Sequence, residues 1–130
     1  MPTYTAFVTI LAVLLYFYTG TRVPVARKRY GVMLPAITGN VDFERVFRAH
    51  MNTLEWMPIF LPLLWLAAYY FSDRIAALTG LVWIAGRIAY VVGYVRSVPA
   101  RGPGFFVQSL ACGALLILAL IGIVPRLLGR

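Results

Sequence analysis

The feature that most constrains this chain is a group of polar side chains at the start of an otherwise apolar segment. Residues 44–58 include two glutamates, two arginines, a histidine and an asparagine, whereas residues 59–71 are almost wholly apolar. Charged groups that enter a bilayer are costly unless they pair with one another or line a polar cavity. Residues 44–58 are therefore a candidate functional site.

Four of these polar side chains share one face of the predicted helix, if successive residues advance by about 100°. They are Arg45, Arg48, Asn52 and Glu55. His50 falls roughly 140° from Arg45 on the same helix, so we expect it to contact another element or a neighbouring subunit. Pairing among these side chains for purely structural reasons is the alternative to a binding site.

The composition indicates a small integral membrane protein, because 62% of the 130 residues are hydrophobic and only 12% are charged. The hydropathy pattern predicts an all-α, four-transmembrane-helix bundle forming a single domain over residues 1–130. The predicted helices are roughly residues 3–21, 44–71, 75–95 and 104–124. A bundle of this size encloses little interior, so we expect a sizeable ligand pocket to form between subunits.

The net charge of +8 comes from arginines and lysine concentrated at the predicted helix ends, which is typical of basic membrane-protein loops and does not indicate a nucleic-acid partner. The positive-inside rule places the first and third loops in the cytoplasm. Short loops and the lack of a targeting signal favour a bacterial inner membrane. The single cysteine, Cys112, excludes an intrachain disulfide, and His50 has no partners at metal-ligand spacing, so no metal site is expected.

A second polar face is predicted on the third helix, where Arg87, Tyr90 and Tyr94 are spaced i, i+3, i+7. We expect it to oppose the face on the second helix, with Arg87 paired to Glu55. An aromatic belt at the membrane interface is the alternative for the two tyrosines. Several cationic groups, an amide, a carboxylate and two phenols suit a small molecule with several carboxylates and an ammonium. The apolar helix walls suit a lipophilic partner that arrives from the bilayer.

The residues from about 27 to 101 resemble the MAPEG family (membrane-associated proteins in eicosanoid and glutathione metabolism), and most closely its leukotriene-C synthase and microsomal glutathione S-transferase branch. The resemblance is strongest at residues 43–55, Phe-Glu-Arg-Val-Phe-Arg-Ala-His-Met-Asn-Thr-Leu-Glu, which are followed by Pro58 and Phe60. It continues through Leu81-Val82-Trp83, Ala85-Gly86-Arg87, Tyr90, Gly93-Tyr94, Arg96-Ser97 and Arg101.

The resemblance implies a homotrimer that binds glutathione as co-substrate between adjacent subunits. By position, the glutathione contacts of one subunit would be Arg48, Asn52, Glu55, Tyr90 and Tyr94. Arg27 and His50 would reach in from the neighbour, and Arg101 would be the catalytic residue beside the thiol. Trp56 and Arg87 complete the predicted set. His50 stands where the leukotriene synthases have Gln, and Trp56 where many members have Tyr, so hydrogen bonding to glutathione is expected to differ.

The function implied by this resemblance is a membrane-bound glutathione transferase or peroxidase. It would ionise the glutathione thiol to a thiolate, which attacks lipophilic electrophiles or hydroperoxides. Two alternatives from other classes are a non-catalytic lipid-binding scaffold of the same fold and a small four-helix exporter that uses Glu55 as its intramembrane carboxylate.

Overall fold

The computed structural model describes residues 1–130 and contains four long helices joined by short connections. The helices are α1 (Thr3–Tyr30), α2 (Val41–Tyr70), α3 (Asp73–Arg96) and α4 (Gly102–Leu127), with a 3₁₀ turn at Pro99–Arg101. The predicted all-α, four-helix fold is confirmed. α1, α3 and the segment Pro99–Leu127 are each long and apolar enough to cross a membrane, whereas α2 carries the polar residues in its first half.

The predicted end of the first helix near residue 21 is wrong, because α1 continues through Arg22 and the basic cluster at residues 27–29 to Tyr30. The charges mark where the apolar part of the helix stops, and not where the helix stops. Basic side chains in the last turn are favourable beside the partially negative helix C-terminus. The helix ends at Gly31, which adopts a left-handed conformation with φ of 69° and caps the carbonyl of Arg27.

Side-chain caps define where α2 and α3 begin. Asn40 Oδ1 accepts a hydrogen bond from the Phe43 backbone N–H at 3.0 Å, and Ser72 Oγ accepts one from Ile75 at 3.4 Å. The carboxylate of Asp73 accepts hydrogen bonds from the backbone N–H groups of Tyr4 and Thr5 at 3.1 and 2.9 Å. This last contact ties the start of α3 to the start of α1.

The core lies between α2 and α3 and is closed by the other two helices. The rings of Phe60 and Trp83 stack with their centres 3.9 Å apart, and Leu64 and Leu115 pack around them without exposure to solvent. All four helices contribute to this cluster, since Val8 of α1 also belongs to it. The core therefore holds α2 and α3 in a fixed register, and that register sets how their polar residues face each other.

Glycines allow α3 and α4 to approach closely. A Cβ atom on Gly104 would lie 2.2 Å from the Tyr90 backbone nitrogen, and one on Gly86 would lie 2.8 Å from the Gln108 nitrogen. Small residues at such crossings let two membrane helices pack backbone against backbone. The tyrosines of α3 are consequently held against the first turns of α4.

Gly104→Ala is expected to destabilise the folded protein by about 1–3 kcal/mol or more, because the added methyl group meets backbone atoms that have no room to move. Thermal unfolding followed by circular dichroism in detergent measures the effect. Gly113→Ala, also in α4, is the matched control, because a Cβ there has nothing within 4 Å. Equal melting temperatures for the two variants would contradict the close α3–α4 contact.

Candidate functional site

The predicted polar faces of α2 and α3 meet in one cavity of about 410 Å³. It lies at the basic end of the bundle, defined as the end where α1 and α3 finish and α2 and α4 begin. The expected opposition of the two faces is thus confirmed. The cavity is lined by Arg48, Asn52, Tyr90, Tyr94, Arg101, Gly102 and Phe105.

A charged pair stands at the rim of this cavity. Arg48 Nη2 lies 3.5 Å from Glu55 Oε1, and Asn52 Nδ2 donates to Glu55 Oε2 at 3.3 Å. The side chains of Arg48 and Glu55 are each 52% exposed within one chain. Exposed ion pairs of this kind are weak, so Arg48 and Glu55 can separate and each can pair with an opposite charge on a ligand.

The predicted pairing of Arg87 with Glu55 is wrong. Arg87 is fully buried, whereas Glu55 lies on the exposed side of α2 and pairs with Arg48. The Arg87 guanidinium donates from Nε to Thr53 Oγ1 at 3.1 Å and from Nη2 to Asn52 Oδ1 at 2.8 Å. It also lies 4.0 Å from the centre of the Tyr90 ring. Arg87 therefore supports two cavity residues from behind.

Asn52 connects this buried arginine to the rim. Its Oδ1 accepts from Arg87, which leaves its Nδ2 to donate toward Glu55. The orientation of the amide is fixed by that arrangement, because an arginine can only donate and a carboxylate can only accept. Asn52 presents a defined hydrogen-bonding edge to the cavity.

Arg101 occupies the 3₁₀ turn between α3 and α4, with its guanidinium carbon 5.4 Å from the centre of the Tyr94 ring. The turn packs tightly on α3, since a Cβ on Gly93 would lie 2.1 Å from the Ala100 carbonyl oxygen. The rings of Tyr90 and Tyr94 meet edge to face with centres 5.6 Å apart. Gly93 thus allows the turn to bring a guanidinium beside two phenols.

The apolar wall of the cavity comes from α4 and was missed by sequence reasoning. Phe105 contacts Tyr90 at 6.0 Å between ring centres and Trp56 edge to face at 5.6 Å. Trp56 therefore reaches the site through Phe105 and does not line the cavity itself. Thr53 was also missed, although it accepts the hydrogen bond that anchors Arg87.

Arg27 and His50 lie away from the cavity within one chain. Arg27 donates from Nη1 to the Ala36 carbonyl and its guanidinium lies 4.8 Å from the Phe43 ring centre. His50 faces α1 and borders a separate crevice there, consistent with its predicted angular offset. A site that includes these two residues needs a second copy of the chain, and that remains a prediction.

Contacts with α1 also determine the tautomer of His50. The Thr19 hydroxyl lies 2.7 Å from the Tyr16 carbonyl, to which it donates its only proton, and 2.9 Å from His50 Nδ1. Thr19 must therefore accept from Nδ1–H, which leaves Nε2 of the neutral ring as an acceptor. The ring stacks on Tyr16 with centres 4.9 Å apart, and Gly20 leaves space for its edge.

Comparison with known proteins shows the relatives of this chain. Residues 5–121 match the MAPEG family. An uncharacterized protein of Synechocystis is 48% identical over 122 residues, 94% of this chain and 89% of the relative. Leukotriene C4 synthase of Cavia porcellus is 42% identical, covering 95% of this chain and 82% of the relative. Microsomal glutathione S-transferase 2 of Homo sapiens is 43% identical, covering 90% and 78%.

Proposed function

The chain belongs to the MAPEG family, and from that premise we propose that it is a membrane-bound glutathione transferase that also reduces lipophilic hydroperoxides. The names of two similar proteins, leukotriene C4 synthase and microsomal glutathione S-transferase 2, support a glutathione-related transferase. The structural observation that carries the proposal is the single cavity shared by Arg48, Asn52, the two tyrosines of α3 and Arg101.

The groups around the cavity suit the functional groups of glutathione. Glutathione has two carboxylates, an ammonium and a thiol between them. Arg48 offers a guanidinium to a carboxylate, Glu55 offers a carboxylate to the ammonium, and the oriented amide of Asn52 supplies hydrogen bonds. The cavity volume of about 410 Å³ lies within the usual range of roughly 300–1,000 Å³ for small-molecule sites.

Arg101 is proposed to activate the thiol. A free thiol has a pKa of about 8.5, so only a few per cent is ionised at neutral pH. A guanidinium beside the sulfur favours the thiolate, and the adjacent Tyr94 ring restricts where that guanidinium can go. The thiolate then forms a C–S bond to an electrophilic carbon while the leaving group departs or a strained ring opens.

The same thiolate can reduce a hydroperoxide. Its sulfur attacks one oxygen of the O–O bond, which breaks to give a sulfenic acid and, after protonation, an alcohol. A second glutathione condenses with the sulfenic acid to form glutathione disulfide and water. Both reactions use one binding site and one activated sulfur, with the lipophilic substrate arriving from the bilayer along apolar helix surfaces such as α1 and α4.

A complete site is proposed to form in a homotrimer in which the neighbour contributes Arg27 and His50. The protein is an integral membrane protein, and we propose that its basic end faces the cytoplasm, where glutathione is available. An exporter that titrates Glu55 is disfavoured, because Glu55 is already in contact with Arg48 and Asn52.

Isothermal titration calorimetry of the protein in detergent tests glutathione binding. Arg48→Ala and Glu55→Ala are each expected to weaken binding about tenfold or more, since each removes a charge-assisted contact and leaves its partner unmatched. Arg74→Ala is the matched control, because Arg74 lies at the opposite end of the bundle over Tyr4. Absence of glutathione binding to the unaltered protein would overturn the proposed function.

A further inference from the structure

A second cavity, of about 370 Å³, lies between α1 and α3 at the basic end and shares no lining residue with the first. Three arginines border it: Arg22 and Arg29 from α1, and Arg96 from the end of α3. No carboxylate lines it. The cavity therefore concentrates positive charge at a place that the glutathione site does not use.

These three arginines have no anionic partner in the chain. The two ion pairs of the structure join Arg45 to Asp42 and Arg48 to Glu55, and neither involves the second cavity. Arg22 and Arg29 instead lie over the rings of Tyr18 and Tyr30, with their guanidinium carbons 5.5 and 5.4 Å from the ring centres. Stacking leaves the guanidinium edges free to bind an anion, and planar guanidinium groups suit phosphate oxygens.

The remaining wall of the cavity is apolar and open. Val25 of α1 and Val92 of α3 line it and are 50% and 49% exposed, and Val95 next to them is 41% exposed. Both helices are long and apolar enough to cross a membrane. The cavity thus places three guanidinium groups beside exposed aliphatic side chains at the basic end of two membrane-crossing helices.

We propose that this second cavity binds an anionic phospholipid, with the headgroup phosphate among Arg22, Arg29 and Arg96 and an acyl chain along the valines. A soluble anion would use the arginines but would leave the valine wall uncovered, whereas a lipid satisfies both. Basic pockets between membrane helices bind acidic headgroups by the same combination of charge and apolar contact. The inference does not depend on the proposed transferase activity.

Native mass spectrometry of the full-length protein in a neutral detergent tests the proposal. Phosphatidylglycerol is expected to bind at least about tenfold more tightly than phosphatidylcholine with the same chains. Arg22→Gln/Arg96→Gln is expected to lose about tenfold or more of the phosphatidylglycerol affinity, since each interfacial arginine contributes substantially to binding an acidic lipid. Arg74→Gln/Arg130→Gln removes the same charge from the other end and should bind as the unaltered protein does.

A steric variant tests the valine wall without changing the charge. Val92→Trp fills the cavity from an exposed position and is expected to weaken phosphatidylglycerol binding, whereas Leu78→Trp, exposed near the other end of α3, is not. Circular dichroism verifies that each variant is folded. Equal binding of the two lipids, equal losses in the two double variants, or unchanged binding by Val92→Trp would each overturn the proposal. Displacement of the lipid by inorganic phosphate alone would show an anion site and overturn the lipid assignment.

Discussion

Arg101→Ala is expected to lower the rate of glutathione conjugation by about 10²–10³-fold, the usual loss when a group that stabilises developing negative charge is removed. Arg101 is the guanidinium that borders the cavity next to Tyr94, and Arg87 is buried and already bound to Thr53 and Asn52. The ultraviolet absorbance of bound glutathione thiolate near neutral pH should largely disappear with the activity. Steady-state kinetics and difference spectroscopy on the detergent-solubilised protein measure both.

The dissociation constant of glutathione should change less than the turnover rate in this variant. Arg101 interacts most strongly when negative charge is on sulfur, so its loss affects the transition state more than the ground state. Arg101→Lys should retain part of the activity, because the charge remains while the planar group that stacks on Tyr94 is lost. Arg74→Ala controls for a general loss of positive charge.

Retention of both thiolate absorbance and turnover by Arg101→Ala would show that this arginine is a loop charge without a catalytic role. Tyr94 would then be the next candidate, since it lines the same cavity. If the unaltered protein binds glutathione but forms no thiolate and has no turnover, the lipid-binding scaffold becomes the better interpretation. The experiment therefore separates an enzyme from a scaffold of the same fold.

The sequence predicted the polar faces of α2 and α3 because the cost of placing charge in a bilayer leaves few alternatives. Angular spacing along a helix was sufficient to group Arg48 with Asn52 and to separate His50 from them. Angular spacing did not predict how deeply each side chain is buried. Arg87 and Glu55 lie on facing helices, but one is fully buried and the other half exposed, and that difference decides their partners.

Other features could not be predicted because they depend on contacts between separate helices. Phe105 is one of many apolar residues in α4, and only the approach of Tyr90 and Trp56 distinguishes it from a lipid-facing side chain. The convergence of Arg22 and Arg96 on one cavity likewise depends on how α1 packs against α3. α1 extends to Tyr30 because Gly31 caps it there. In the sequence, the charged residues from Arg22 onward indicated a helix end more strongly than this single glycine did.

The position of Arg27 in the last turn of α1 bears on how a complete site is assembled. Its guanidinium contacts the Ala36 carbonyl and the Phe43 ring of its own chain, and it does not line the first cavity. If it serves catalysis, it serves the site of a neighbouring subunit. In a cyclic trimer every site would then combine Arg101 of one subunit with Arg27 of the next.

Co-expression of two inactive variants, Arg27→Ala and Arg101→Ala, is therefore expected to restore activity. In randomly mixed trimers each site has one chance in two of receiving an intact Arg101 and one in two of receiving an intact Arg27, so activity should return to about a quarter of the unaltered level. The two variants carry different tags, and mixed trimers are purified through both tags in sequence and assayed for conjugation. The measured activity is then corrected for the trimers with only one tag, which this purification removes.

Arg48→Ala mixed with Arg101→Ala is the matched control, because both residues border the same cavity of the same chain. Every site in those trimers lacks one of the two arginines, so the activity is not expected to exceed the average of the two parent variants. Recovery in the control would mean that one site can use Arg48 and Arg101 from different chains. The Arg27→Ala mixture could also fail to recover although native mass spectrometry shows mixed trimers. That result would mean either that Arg27 is not part of the site or that each site takes Arg27 and Arg101 from the same chain.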